Sequence, residues 1–283
     1  MKNIIVAVDF SDSSITALEH AITIAHKGGF GIQMVWVNNP TTTRILLSDA
    51  QSDDLVAEVD NQFKTLITRY MKEAEGVSFT HAIREGKVYQ QISQLARQSE
   101  AFLIVAGTHG ASGFEEFWIG SNANKIVSAA PCPVITIRGG VSVSRDLKRI
   151  IVPVDSTPET RQKSSFTASI ARLFEAEIFI VGWLTSGIGA IHDTVENYAL
   201  QMKTFFEEEE LLCRFEMKKA ENIALATIDY ALDYDANLIS IMTEQETTTA
   251  NLWLGPFAQQ LVNRSPVPVL SIHPIDFNAD IYS

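Results

Sequence analysis

The chain contains itself twice. Ala130-Pro131-Cys132-Pro133-Val134-Ile135-Thr136-Ile137 returns 135 residues later as Ser265-Pro266-Val267-Pro268-Val269-Leu270-Ser271-Ile272. The same offset sets Phe117-Trp118-Ile119-Gly120 against Leu252-Trp253-Leu254-Gly255. Each copy also opens on a β-branched run that ends in Asp. These runs are Lys2-Asn3-Ile4-Ile5-Val6-Ala7-Val8-Asp9 and Arg149-Ile150-Ile151-Val152-Pro153-Val154-Asp155. A repeat this long is a whole domain, because solenoid units run only about 20–50 residues. The 283 residues therefore read as two domains, 1–140 and 141–283. The join at 139–147 begins Gly139-Gly140-Val141-Ser142, a composition suited to a flexible connection.

Within each copy, apolar runs alternate with amphipathic stretches. The first copy predicts strands near 3–9, 30–37, 77–84, 101–106 and 133–138, and helices near 12–27, 49–74, 87–99 and 121–129. The second predicts strands near 148–154, 177–183, 213–219, 237–242 and 267–272, and helices near 158–175, 192–211, 221–234 and 256–264. Thr157-Pro158 supplies an N-cap and a proline at the first helical position. This alternation implies an α/β fold, here two tandem doubly wound domains, each with a mostly parallel five-stranded sheet covered on both faces.

In such sheets, ligands sit beyond the carboxyl ends of the strands, at the topological switch point. The end of the first strand (Ala7, Val8, Asp9) and the stretch Gly107-Thr108-His109-Gly110 to Gly120-Ser121 meet at that edge. Glycines between a strand and a helix N-terminus let backbone N–H groups approach a phosphate closely. A hydroxyl such as that of Ser121 can donate to a phosphate oxygen.

Composition narrows the classes. Residues 1–140 carry 11 basic and 14 acidic groups, and residues 141–283 carry 11 and 20, so the halves stand at −3 and −9. Neither offers the basic field that nucleic-acid binding needs. The longest apolar runs fall far short of a bilayer span. The start of the chain reads as an immediate strand and not as a signal peptide. With only Cys132 and Cys213, a disulfide framework is not expected, and the reading is a cytoplasmic protein. The cysteines and histidines show no metal-ligand spacing.

With Asp9 after the first strand, Gly107-x2-Gly110-x9-Gly120-Ser121 after the fourth, and Pro131-Cys132-Pro133-Val134 leading into the fifth, the chain resembles the universal stress protein family over nearly its whole length. The glycine spacing is similar to that of the family's ATP-binding branch. The resemblance implies an adenine nucleotide alpha hydrolase-like fold and ATP as ligand, with Mg²⁺ expected beside a polyphosphate. Ala7, Val8 and Asp9 would contact adenine and ribose, and Val37 would line the adenine pocket. Ala106, Gly107, Thr108 and Gly110 would pass close to ribose and phosphates. Gly120, Ser121 and Asn122 would hold the phosphates at a helix N-terminus. The resemblance also implies an intramolecular pseudo-dimer of the two domains, with the fifth strands as candidate contacts, and it is compatible with further homo-oligomers. Ala7, Asn122 and the loop glutamates Glu115 and Glu116 depart from the family's pattern.

The second copy departs further. Gly107 becomes Met242, Gly110 becomes Gln245 and Ser121 becomes Pro256, while Gly120 persists as Gly255. Domain two is therefore expected to bind no nucleotide and to serve as a surface for protein partners. Asp9 can also be read as a helix cap, and for Asp155 that is the favoured reading. His109 belongs to no visible catalytic constellation, so no catalytic residue is assigned. Trp118 and Trp253, matched in both copies, read as packing. Glu207 to Glu210 read as a solvated helix face. The functional expectation is a nucleotide-responsive stress or signalling module. A scaffold that binds no nucleotide and a slow ATPase are the alternatives.

Overall fold

A computed structural model describes residues 2–39, 49–108, 121–140, 144–185, 188–243 and 254–274. The side chains of 49–53 and 121 are not described. The chain divides into two compact units, Met1–Val141 and Ser142–Ser283.

The N-terminal unit runs β1 (Asn3–Ala7), α1 (Asp12–Gly28), β2 (Gly31–Asn38), α2 (Asp49–Glu73), β3 (Phe79–Glu85), α3 (Val88–Gln98), β4 (Leu103–Gly107), α4 (Ser121–Ala129) and β5 (Val134–Ile137). Its strand order is β3-β2-β1-β4-β5, and the pairs are parallel. The register sets Ile4 between Ile32 and Leu103, so the sheet's middle is a layer of β-branched and leucine side chains. Ile4, Ile5 and Val6 are all 0% exposed, as expected for a central strand covered on both faces. The edge strand β3 has no fully buried position. Ser11 caps α1 by accepting from the Ser14 N–H at 3.3 Å. Gly29 ends α1 at φ 66°, a left-handed conformation that glycine adopts without steric cost.

The C-terminal unit repeats the plan with β6 (Arg149–Val154), a 3₁₀ turn (Pro158–Arg161), α5 (Ser164–Phe174), β7 (Glu177–Leu184), α6 (Gly189–Glu208), β8 (Cys213–Lys219), α7 (Ile223–Asp233), β9 (Leu238–Met242), α8 (Pro256–Arg264) and β10 (Val269–Ile272). Its order is β10-β9-β6-β7-β8, again parallel. The switch point lies between β1 and β4 in one unit and between β6 and β9 in the other.

Three expectations change. The single helix expected over 158–175 is split, with α5 starting only at Ser164. Thr157 does cap the turn, but its hydroxyl donates to Asp155 Oδ1 at 2.5 Å and makes no cap bond. The glutamate run is solvated, with Glu207, Glu208 and Glu210 exposed, but it is not one helix face. It straddles the end of α6, where Glu207 pairs with Lys203, Glu209 pairs with Arg172, and Glu210 turns to φ 58°. Four carboxylates at a helix C-terminus oppose its dipole, and these two cations offset part of that. The end of the join is anchored, with Leu147 only 1% exposed and the Lys148 ammonium donating to the Phe174 carbonyl at 2.7 Å.

Candidate functional site

The two switch points can be built side by side. In the N-terminal unit the β1–β4 ladder runs to Ala7↔Ala106, the last residue of β1. Val8 is buried and its N–H donates to the Val35 carbonyl at 2.9 Å. Asp9 follows, exposed at the sheet's edge. Its Oδ1 accepts from the Ser11 N–H at 3.1 Å and the Ser11 hydroxyl at 2.5 Å. Its own N–H donates to Ser14 Oγ at 3.3 Å. The helix cap itself is Ser11, and Asp9 supports it by accepting its N–H and hydroxyl, which fixes the carboxylate at the mouth of the switch point. Val37, half-buried, stands two residues past Val35 on β2, at the same carboxyl edge.

On β4, Ala106 is buried and Gly107 half-buried. A Cβ on Gly107 would lie 2.2 Å from Ser13 Oγ and 2.9 Å from the Ser13 carbonyl carbon. The glycine therefore does a structural task that sequence alone did not reveal, since it lets the first turn of α1 sit against the end of β4. Thr108 is 6% exposed and its N–H donates to the Ile137 carbonyl at 2.9 Å, so that amide is occupied by the sheet. The α4 helix begins at Ser121, with Asn122 exposed in its first turn. Gly110, Gly120, His109, Glu115, Glu116, Phe117 and Trp118 lie outside the described residues, as do Gln245, Leu252 and Trp253.

Phe10 was missed by sequence reasoning. It sits at φ 63°, a left-handed conformation that costs a non-glycine residue roughly 1–3 kcal/mol. Its ring packs 5.1 Å from that of Phe63 on α2, which stacks on His81 at 4.8 Å. His81 Nε2 in turn lies 2.8 Å from Asp60 Oδ1, and this contact together with the Lys64 ammonium holds the Asp60 carboxyl below its usual value. No sequence pattern signals a left-handed phenylalanine.

The C-terminal unit keeps the turn and changes the interior. Asp155 Oδ1 accepts from the Thr157 N–H and hydroxyl at 2.8 and 2.5 Å, and the Asp155 N–H reaches Thr160 Oγ1 at 3.4 Å. These bonds match those of Asp9, Ser11 and Ser14 one for one. The β6–β9 ladder, however, holds only Ile150↔Leu238 and Ile151↔Ile239. Pro153 has no N–H to give it. Beyond that point the strands frame a cleft of about 260 Å³, whose walls include Val154, Asp155, Thr160, Lys163, Met242 and Phe257. Met242 takes the place of Gly107 and stands in the wall of this cleft. On this side the helical segment is split between the 3₁₀ turn and α5.

Lys163 fills the space behind. It is 1% exposed, and its ammonium donates to the Thr160 carbonyl at 2.5 Å and to Thr160 Oγ1 at 3.0 Å. Burial lowers its pKa to about 8, with the Asp155 carboxylate pulling the other way. Thr167 Oγ1 continues the chain, donating to the Lys163 carbonyl at 2.8 Å and meeting Ser240 Oγ at 2.7 Å. The corresponding positions in the N-terminal unit are Ala17, Ala21 and Val105.

Among the described residues, no group of three or more His, Cys, Asp or Glu could hold a metal ion, and no helix is long and apolar enough to cross a membrane. Both cysteines are free, and burial pushes the Cys132 thiol up to about 12, which makes it a poor nucleophile.

Comparison with known proteins agrees with this two-copy plan. A universal stress protein of Methanocaldococcus jannaschii is 30% identical over 140 residues, covering 48% of this chain and 82% of its own length. A universal stress protein of Bacillus subtilis is 26% identical over 146 residues, covering 48% of this chain and 99% of its own. Among solved structures, a universal stress protein from Archaeoglobus fulgidus superposes with a TM-score of 0.73 at 17% identity, covering 96% of this chain and 98% of that one. The likeness at that identity establishes the fold. The model of the universal stress protein family matches residues 1–138 and again 146–273, so the chain belongs to that family.

Proposed function

We propose that the N-terminal unit binds ATP, with Mg²⁺ accompanying the phosphates, and that the C-terminal unit binds no nucleotide and presents a surface to protein partners. The protein would act in the cytoplasm as a nucleotide-responsive module. Ala7, Val8, Asp9 and Val37 would face the nucleoside, and Ala106, Gly107, Thr108 and Gly110 would border the ribose and phosphates. Gly120, Ser121 and Asn122 would receive the phosphates at the start of α4, where the helix dipole favours an anion. Because the Thr108 N–H is held by Ile137, its contribution would come from the rest of the residue.

One observation carries the asymmetry. Where the first unit has Gly107 at the end of β4, the second has Met242 at the end of β9, above a buried ammonium, in a cleft of about 260 Å³ including its open mouth. A second reading, a scaffold with no nucleotide at all, draws on a specific observation too. Gly107 is required by Ser13 whether or not a ligand is present.

The test starts from protein purified without added nucleotide, denatured to identify what it releases. ATP is then titrated against wild type, Gly110→Val and Gly255→Val. The expected result is one nucleotide per chain, lost in Gly110→Val and kept in Gly255→Val. Failure of wild type to retain or bind ATP at about millimolar concentration would leave the scaffold reading. ATP turnover abolished by Gly110→Val would move the reading to a slow ATPase.

A further inference from the structure

The repeat supplies a control for surfaces as well as for the site. Helix α7 (Ile223–Asp233) is the second copy of α3 (Val88–Gln98), 135 residues on. Both bury one face, with Ile92, Leu95 and Ala96 inside in α3 and Ala224, Ile228 and Ala231 inside in α7. The outward faces differ at every matched position. In α3 the exposed residues are Gln90, Gln94, Arg97 and Gln98. In α7 the same positions are Leu225, Asp229, Leu232 and Asp233, also exposed.

Leu225 is 41% and Leu232 51% exposed. Seven residues apart, they lie nearly in line along the helix, about 10 Å from one another at 1.5 Å per residue. Asp229 lies between them and Asp233 alongside, and neither aspartate has an ion-pair partner among the described residues. A single exposed leucine needs no explanation. A leucine pair at heptad spacing with unpaired carboxylates on its flank, absent from the sister helix, is a patterned surface. It sits on the half of the chain whose formal charge is −9.

We infer that this face of α7 docks a basic amphipathic helix from a protein partner. Apolar side chains one heptad apart on the partner would cover Leu225 and Leu232, and lysines or arginines beside them would meet Asp229 and Asp233. Charge selects this occupant over a second copy of the chain, whose own α7 would set aspartates against aspartates. The inference deepens the reading of the C-terminal unit as a partner surface, and it does not depend on nucleotide binding by the other unit.

The test uses the full chain and a fluorescein-labelled helical peptide with leucines seven apart flanked by lysines, followed by anisotropy. A Lys→Glu version of the peptide is the charge control. The variants are Leu225→Gln/Leu232→Arg, which installs the α3 residues, and Asp229→Gln/Asp233→Gln. Glu208→Gln/Glu221→Gln removes the same charge elsewhere on exposed positions. The basic peptide is expected to bind wild type and the Glu208/Glu221 variant alike, to bind both α7 variants at least about tenfold more weakly, and to lose affinity when its lysines become glutamates. Equal binding by the α7 variants, an equal loss in the Glu208/Glu221 variant, or no binding by wild type overturns the proposal. A concentration-dependent dimer abolished by Leu225→Gln/Leu232→Arg would assign the face to a second copy instead. ATP titration of the same variants keeps the two readings apart, because a lost nucleotide site would leave these peptide results unchanged.

Discussion

Asp9 and Asp155 hold the same turn with the same bonds, yet what stands behind them is opposite in kind. Behind Asp9 are Ala17, Ala21 and Val105, and the end of β4 is a glycine pressed against Ser13. Behind Asp155 are Lys163, Thr167 and Ser240, linked by hydrogen bonds, and the end of β9 is a methionine. A carboxylate at a strand end is therefore a feature of the scaffold. What distinguishes the units is the volume and polarity of the residues around it. One unit lines its switch point with small apolar residues, and the other buries a lysine in the wall of its cleft.

The largest expected effect comes from that lysine. A buried ammonium with a pKa near 8 is less stable in the folded chain than in the unfolded one, where it takes the ordinary value of 10.5. Between those values the unfolded state binds more protons, so stability rises with pH. The gain is complete above about 10.5 and is lost as pH falls through about 8. The difference is worth about 3 kcal/mol. Lys163→Met removes the titration while keeping most of the volume. Urea unfolding of both proteins at pH 7 and near pH 10.5 should show wild type gaining about 3 kcal/mol relative to the variant, other titrations cancelling in the comparison. An unchanged difference would mean that the ammonium is not desolvated as the geometry requires.

Next in size is the reverse exchange at the strand end. Gly107→Met gives the first unit the second unit's residue, and its Cβ would fall 2.9 Å from backbone of Ser13. Overpacking of this kind costs about 1–3 kcal/mol, and the upper end is expected because the obstacle is main chain. Denaturant unfolding would measure the loss, and ATP affinity should fall at least about tenfold with it. Ser13→Gly in the same chain should recover part of the stability.

Much of this was legible in the sequence, and the limits have physical causes. Periodicity placed β1, α4 and β5 to within two residues because their apolar runs and bounding Gly and Pro are local signals. The repeat marks both strand-end sites in the sequence alone. The split at Gln162 and Lys163 is not legible, because Thr157-Pro158 signals a helix start and no local glycine or proline marks a break before Ser164. A lysine three residues before a helical phenylalanine reads as a surface residue unless its burial is known. The packing use of Gly107 is hidden for the same reason, its nearest obstacle being Ser13 on another element. Phe10 shows no trace of its left-handed backbone in its residue type.

A smaller effect separates the residues that follow the two aspartates. Phe10→Ser installs the second unit's Ser156 and removes the contact with Phe63. The ring is half-buried, so a loss of about 1–2 kcal/mol is expected, below that of a core phenylalanine. The opposite exchange, Ser156→Phe, should give no gain, since the strained backbone that aims Phe10 has no counterpart there. Thermal unfolding of the two variants side by side would show whether the strain and the aromatic contact go together.

The smallest effects bear most directly on function. Ser11→Ala removes both the cap to Ser14 and the hydroxyl bond to Asp9, and should cost about 1 kcal/mol. Thr157→Ala should cost less, because Thr157 makes no side-chain cap bond. Asp9→Ala and Asp155→Ala then form a matched pair. Each deletes one carboxylate that accepts an N–H and a hydroxyl from the residue two places on, so each should lose a similar increment of stability, about 1 kcal/mol. Their effects on ATP binding should not match. If Asp9 faces a nucleoside, its removal lowers ATP affinity by more than the stability change explains, while Asp155→Ala leaves titration curves unaltered. If the two variants instead bind ATP equally well, Asp9 supports the turn before α1 and nothing more, and the asymmetry of the molecule rests on Gly107 and Lys163 alone.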